Sequence, residues 1–349
     1  MPKKSENKKE EIVEFIQQHP RCTSQEILEG LKLNMSVTTL RRKLQDLVSE
    51  GLINPIGELK SRRYEISSAY NIIRPILLEQ YFEKEIDDRS ILERFNIELI
   101  SQTLHGVSIF TKAELDHLNN LQKKFAFNTS KLSETEYSKE LERLAIDLSW
   151  KSSQIEGNTY SLLETERLLK DKETASGKTK DEATMLLNHK AALDFIIEHP
   201  NYIDPIGVSA IEDIHSILIK ELAIKRNIRS GRVGITGTNY TPLDNEFQIK
   251  EALTLMCSLI NDKKNVFEKA LLALVLISYI QPFADGNKRT ARIISNAILM
   301  NNQYCPISFR TVDSIEYKKA MLVFYEQNNI YPFKNVFINQ FEFAVNTYF

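Results

Sequence analysis

A mainly α-helical protein built in more than one part is what this sequence predicts, and three observations carry that prediction. Residues 270–280 (ALLALVLISYI) are almost wholly apolar, too short to cross a bilayer but long enough for a helix buried on every side. Leu141, Leu144, Leu148 and Ile155 fall on one helical stripe, and Ile293, Ile294, Ala297 and Ile298 on another. The first 68 residues hold three successive helical faces, two of them opened by capping residues. At 349 residues and 42% apolar, the chain can support two or three real cores.

Taken in order, Ile12, Val13 and Ile16 give the first face. Thr23 and Glu26 form a capping box for a second helix, and Ser36 caps a third that carries Leu40, Leu44, Leu47 and Val48. Two β-like stretches follow, 51–54 and 63–66, joined by a turn at 55–57. Arg41, Arg42 and Lys43 on the third helix, with Lys60, Arg62 and Arg63 in the hairpin, suit phosphate contacts. Yet residues 1–68 carry 12 basic against 10 acidic side chains, a weak footprint for a DNA binder. Residues 69–140 read as mixed polar helices that bridge to the rest, with a break at 128–133 and no chemical site. Residues 171–180 (DKETASGKTK) form a small polar loop. Trp150 is expected to pack, as are the aromatic residues of 333–349. From residue 203 onward the chain reads as helix, except for 232–243 (RVGITGTNYTPL). There β-branched and aromatic residues broken by Gly237 and Asn239 predict a short hairpin, with Thr238 and Tyr240 beside its turn.

The chemistry concentrates in residues 281–292 (QPFADGNKRTAR), between the buried run and a helix expected to begin near Asn287. A helix N-terminus offers unpaired N–H groups and a positive dipole end to an anion. Asp285 can take Mg²⁺, an ion that accepts few protein oxygens and completes its shell with phosphate and water. Gly286 permits close backbone approach, and Asn287 offers an amide donor. Arg289 and Arg292, three apart on one helix, can converge on the oxygens of a polyphosphate.

This run resembles the signature of the Fic/Doc (Fido) family, His-x-Phe-x-Asp/Glu-Gly-Asn-x-Arg-x-x-Arg, with Phe283, Asp285, Gly286, Asn287, Arg289 and Arg292 in register and Gln281 in place of the histidine. The resemblance implies a helical Fic domain over 141–349 with a β-hairpin flap, and transfer of AMP from ATP to a protein hydroxyl. It implies that Phe283 anchors the loop, Asp285 holds Mg²⁺, Gly286, Asn287 and Lys288 line the nucleotide, and Arg292 meets the γ-phosphate. Residues 152–158 (SSQIEGN) are similar to the family's inhibitory pattern Ser/Thr-x-x-x-Glu-Gly/Asn. Ser152 and Glu156 share one helical face, and Gly157 suits the end of that helix, near 141–157. By resemblance Glu156 pairs with Arg292 and blocks the γ-phosphate position. Residues 232–243 are similar to the flap that grips a target's backbone by strand addition. The first 68 residues resemble a winged helix-turn-helix, for which DNA contact through residues 36–66, protein docking and support of a homodimer stay open.

Position 281 sets the functional expectation. Glutamine can orient a hydroxyl but cannot accept its proton, so the family's general base is missing. Among the six histidines, His215 is the one to test as a substitute. Lys288 occurs at this position in the kinase-like Doc branch, but Gly286 stands where that branch has alanine. The leading expectation is an adenylyltransferase restrained by Glu156 and weakened by Gln281. The alternatives are an ATP-binding regulator without catalysis, and an enzyme that removes AMP using Glu156 as a base. Three widely spaced cysteines, Cys22, Cys257 and Cys305, suggest neither a disulfide framework nor a zinc site. With a Lys/Glu-rich N-terminus and a net charge of −2, a cytoplasmic protein with no membrane span is expected.

Overall fold

The computed structural model describes residues 4–32, 35–58 and 61–349, with side chains from residue 8 onward. Lys60, expected in the hairpin, lies outside the described residues. The chain divides into two compact units: Met1–Pro75 with Gly106–Asp116, and Ile76–His105 with His117–Phe349. The fold is mainly helical, as expected.

The first unit opens with α1 (Lys4–Gln18), β1 (Cys22–Thr23), α2 (Ser24–Gly30), α3 (Val37–Ser49), β2 (Ile53–Ile56), β3 (Arg63–Ile66) and α4 (Tyr70–Ile73). The capping box is formed, with Thr23 Oγ1 accepting from Glu26 N at 3.2 Å and Glu26 Oε2 from Thr23 N at 2.6 Å. Ser36 caps α3 through the Thr39 N–H at 3.1 Å. Ile12, Ile16, Ile27, Leu40, Leu44 and Leu47 close the core between the helices. The sheet has three antiparallel strands in the order β1-β3-β2 rather than the expected two, because the two-residue β1 pairs Cys22 with Tyr64. The expected turn at 55–57 starts later, since Pro55 pairs with Tyr64 inside β2. An edge strand tolerates a residue without an N–H.

The second unit contains α5 (Leu78–Tyr81), α6 (Ile97–Ser101), most of α7 (Lys112–Thr129), α8 (Glu134–Ile155), α9 (Leu162–Asp171), α10 (Lys180–Glu198), α11 (Val208–Leu218), α12 (Glu246–Asp262), α13 (Val266–Ile280), α14 (Asn287–Asn301), α15 (Ser314–Gln327) and α16 (Tyr331–Thr347). Residues 219–245 and 302–313 are largely irregular, so the region beyond 203 is less continuously helical than its composition suggests. Every residue of the 270–280 run is buried, and α13 packs against α12, α14, α15 and α16. Helix α14 lies between α13 on one side and α8, α10 and α11 on the other. The loop joining α13 to α14 is thereby fixed at both ends. Among the described residues no helix is long and apolar enough to cross a membrane.

Leu274 has no exposed surface and Phe247 is 82% exposed. Leu274→Ala should cost about 2–5 kcal/mol of stability, whereas Phe247→Ala should change it by less than about 0.5 kcal/mol. Denaturant titration of the two variants beside the parent protein checks the difference.

Candidate functional site

Helix α13 ends at Gln281 in the left-handed region (φ 51°, ψ 58°), and Gly286 (φ 85°) leads into α14. A Cβ on Gly286 would be strained at that φ and would lie 3.4 Å from the His215 ring. Asn287 closes the loop on itself. Its Oδ1 accepts from Phe283 N at 2.8 Å, while its Nδ2 donates to Phe283 O at 2.8 Å and to Gln281 Oε1 at 2.9 Å. The amide expected to face an anion is instead spent inside the loop, whose buried backbone groups need partners. Gln281 is tied down as well, its Nε2 donating to Ser278 O at 2.7 Å.

Phe283 is fully buried and stacks face to face on His215, with ring centroids 3.6 Å apart. His215 Nε2 lies 3.0 Å from the Asp285 carbonyl, to which a neutral imidazole donates. Burial, as the largest cause, pushes its pKa down to about 4. This histidine braces the signature loop, and its geometry does not provide the substitute base considered for it.

Nothing caps the first turn of α14 with a side chain. Arg289, 1% exposed, reaches Asp285 Oδ2 only at 3.4 Å, and its Nε and Nη1 have no hydrogen-bond partner among the described residues. A buried guanidinium left in that state is suited to an incoming oxyanion. The Asp285 side chain is 64% exposed, and its Oδ1 accepts from Gly286 N at 2.6 Å.

Arg292 has no exposed surface at all. Its Nη2 donates to Glu156 Oε1 at 2.8 Å and to Ser152 O at 3.0 Å, and its Nε donates to Ser152 Oγ at 2.8 Å. The sequence spacing thus brings Ser152 and Glu156 together on Arg292. Lys288 Nζ lies 3.4 Å from the other carboxylate oxygen, Glu156 Oε2. Burial opposes ionisation of Glu156, but Arg292 first, then Lys288 and Arg289, outweigh it and hold its pKa below the usual value. Backbone geometry fixes where Glu156 stands. Asn158 N donates to Ser153 O and Gly157 N to Gln154 O, both at 3.0 Å, with Gly157 at φ 100°. This Schellman end leaves Glu156 as the C-cap of α8. Asn158 is then anchored by Nδ2 donating to Glu182 O at 2.8 Å.

The expected flap contains no strand pair. Residues 232–243 run irregularly around Gly237 (φ 89°), with one isolated parallel bridge between Thr241 and Arg94. The cause is competition from residues 87–94, which take up its backbone groups: Thr241 N donates to Glu93 O at 2.8 Å and Arg89 Nη2 to Gly237 O at 2.9 Å. Asn239 Nδ2 donates to Asp87 Oδ1 at 3.3 Å, and Thr238 Oγ1 accepts from Tyr240 N at 3.1 Å. Tyr240 is buried, donates to Tyr279 O at 3.0 Å and stacks on Tyr279 and Tyr325.

Several site residues escape a reading of the sequence. Arg229 Nε donates to Gln281 O at 2.6 Å, and its N–H donates to Pro282 O at 3.0 Å, securing the end of α13. A cation near a helix C-terminus is a recognisable signal, but only between neighbours in sequence. Tyr317 places its ring 5.3 Å from the Arg292 guanidinium. His189 is wholly buried, with neither ring nitrogen hydrogen-bonded among the described residues; burial, then Arg292 and Arg289, push its pKa well below the usual value.

Comparison with known proteins finds matches for both parts of the chain. Residues 202–299 match the model of the Fic/DOC family, and residues 6–54 match that of a winged helix-turn-helix DNA-binding domain. Protein adenylyltransferase fic-1 of Caenorhabditis elegans is 29% identical over 182 residues, covering 48% of this chain and 34% of that protein. Protein adenylyltransferase Fic of Nematostella vectensis is 30% identical over 172 residues, covering 48% and 40%. The chain therefore spans well under half the length of these relatives. A solved fragment of C. elegans Fic-1 superposes with a TM-score of 0.59 at 23% identity, covering 68% of this chain and 72% of that one. A Fic domain-containing signalling protein of Bacteroides thetaiotaomicron gives 0.57 at 21% identity, covering 66% and 94%. The chain carries a Fic/DOC-family domain with a winged helix-turn-helix ahead of it.

His215 should remain neutral until the pH approaches about 4. Because its folded pKa lies below the unfolded value, its contribution to stability is complete above about pH 6.5 and is lost as the pH falls toward about 4. NMR titration of the imidazole, assigned with His215→Asn, checks this; an ordinary midpoint near 6.5 contradicts it.

Proposed function

We propose that this protein is a Fic-type adenylyltransferase that moves AMP from Mg-ATP to a hydroxyl of a target protein, restrained by Glu156 and slowed by Gln281. The observation that carries the reading is the 2.8 Å pair between Glu156 and the fully buried Arg292, close to an uncapped helix N-terminus and the half-satisfied Arg289. The uncapped N–H groups, Arg289 and Arg292 supply the donors a triphosphate needs, and the last of these is already taken by Glu156. A terminal phosphate must displace that carboxylate to bind productively.

In the transfer, the target oxygen would bond to the α-phosphorus as the bond from that phosphorus to pyrophosphate breaks. The hydroxyl proton would have to leave at the same time. Gln281 has no basic lone pair for it, and its side chain is bonded to Ser278 and Asn287. Solvent would then take the proton, at a cost of about 10²–10⁴ in rate.

Asp285 would hold Mg²⁺. No group of three or more metal-ligating His, Cys, Asp or Glu side chains is found among the described residues, while the Asp285 carboxylate is open to solvent. One carboxylate with phosphate and water completing the shell is the arrangement Mg²⁺ favours. Bound there, the ion would offset phosphate charge.

A second reading, an ATP-binding regulator without transfer, is favoured by the way Gln281 is absorbed into the loop. For either reading we propose that the winged helix contacts DNA or a protein through residues 36–66. Arg41, Arg42 and Arg62 are exposed there, whereas Arg63 donates to Arg21 O at 2.9 Å and is partly committed.

Gln281→His in a Glu156→Gly background should raise incorporation of α-phosphate label from ATP by about 10²–10⁴-fold, into the protein itself or a lysate target. γ-Labelled ATP controls for phosphoryl transfer. If the double variant binds ATP but incorporates no α-label, the regulator reading replaces the transferase.

A further inference from the structure

Lys288 lies one turn before Arg292 on the same face of α14, and the two cations divide the Glu156 carboxylate between them. Arg292 takes Oε1 at 2.8 Å, and Lys288 approaches Oε2 at 3.4 Å. The side chains of Lys288 and Glu156 are 25% and 19% exposed, so this second pair sits at the rim of the site while the Arg292 pair is sealed beneath it. The Glu156 backbone is held as the C-cap of α8, with Asn158 and Thr159 pinned to Glu182, so the carboxylate leaves the two cations by rotation of its own side chain. We propose that Lys288 is a second clamp on the inhibitory glutamate: an incoming triphosphate must displace the carboxylate from two cations, not one. This inference rests on the proposal that Glu156 restrains nucleotide binding.

Displacing Glu156 frees Lys288 as well as Arg292. The ammonium is then a point charge in the first turn of α14, beside the uncapped N–H groups. Lys288 thus belongs to two competing partners, the carboxylate when the site is closed and an anion when it is open. A simple loss of lysine mixes the two effects with opposite signs. A double-mutant cycle separates them, because the phosphate contribution is common to both backgrounds and cancels.

The experiment is calorimetry of Mg-ATP binding to four full-length proteins: the parent, Glu156→Gly, Lys288→Met and the double variant. Methionine keeps most of the lysine stem and removes its charge. Glu156→Gly should tighten Mg-ATP in the presence of Lys288, and that gain should be about two- to fivefold smaller when position 288 is methionine. Lys288→Arg, which keeps the cation, should retain the full gain and guards against a fold defect in the methionine variants. Equal gains from Glu156→Gly with lysine and with methionine overturn the second clamp and leave the restraint by Glu156 intact. No gain with lysine present overturns the restraint itself.

Discussion

A guanidinium with no exposed surface must have its charge answered from inside the fold, and at Arg292 the answer comes from Ser152 and Glu156. Much of the second unit is arranged around that requirement. Helix α14 sits against α13, whose residues 270–280 are all buried, and the end of α8 brings the Glu156 carboxylate to Arg292. The Schellman end of α8 then places Glu156 at a fixed point. Removing one member of such a buried pair leaves the other charge uncompensated, which is more costly than losing both. The site therefore favours an anion at Arg292 at all times, whether its own carboxylate or a phosphate.

The signature loop gains its shape by spending side chains that appear free in the sequence. Asn287 bonds Phe283 and Gln281, Gln281 bonds Ser278, and His215 bonds the Asp285 carbonyl. What remains for a ligand is fewer in number and more strongly charged: backbone N–H groups, the orphan nitrogens of Arg289, and Arg292 once released. Such a site is pre-organised, since its donors are held by packing before a ligand arrives.

Local patterns made the helices legible, whereas the pairing of Glu156 with Arg292, 136 positions apart, was implied by the family resemblance alone. The apolar run of α13, the capping box at Thr23, the i, i+4 relation of Ser152 and Glu156 and the turn at Gly286 each lie within a few residues. Their physics is short-range, so the sequence displays it. The strand β1 was hidden because two residues carry no period, and its partner in β3 lies some forty positions away. The hairpin expected near Gly237 failed for a similar reason: its β-branched residues do favour extended backbone, but residues 87–94 supply the partner. Arg229 reaches the loop by a hydrogen bond, and His189 lies within the electrostatic influence of Arg292 and Arg289, relations that no local pattern encodes.

Occupancy of Arg292 is the central claim, and a crystal structure of the Glu156→Gly protein with Mg²⁺ and a non-hydrolysable ATP analogue tests it most directly. The account predicts the terminal phosphate within hydrogen-bond distance of the Arg292 guanidinium, with Arg289 on the same triphosphate and the loop from Gln281 to Asn287 unchanged. A triphosphate bound away from Arg292, or an Arg292 that turns to another protein carboxylate when Glu156 is gone, would contradict it.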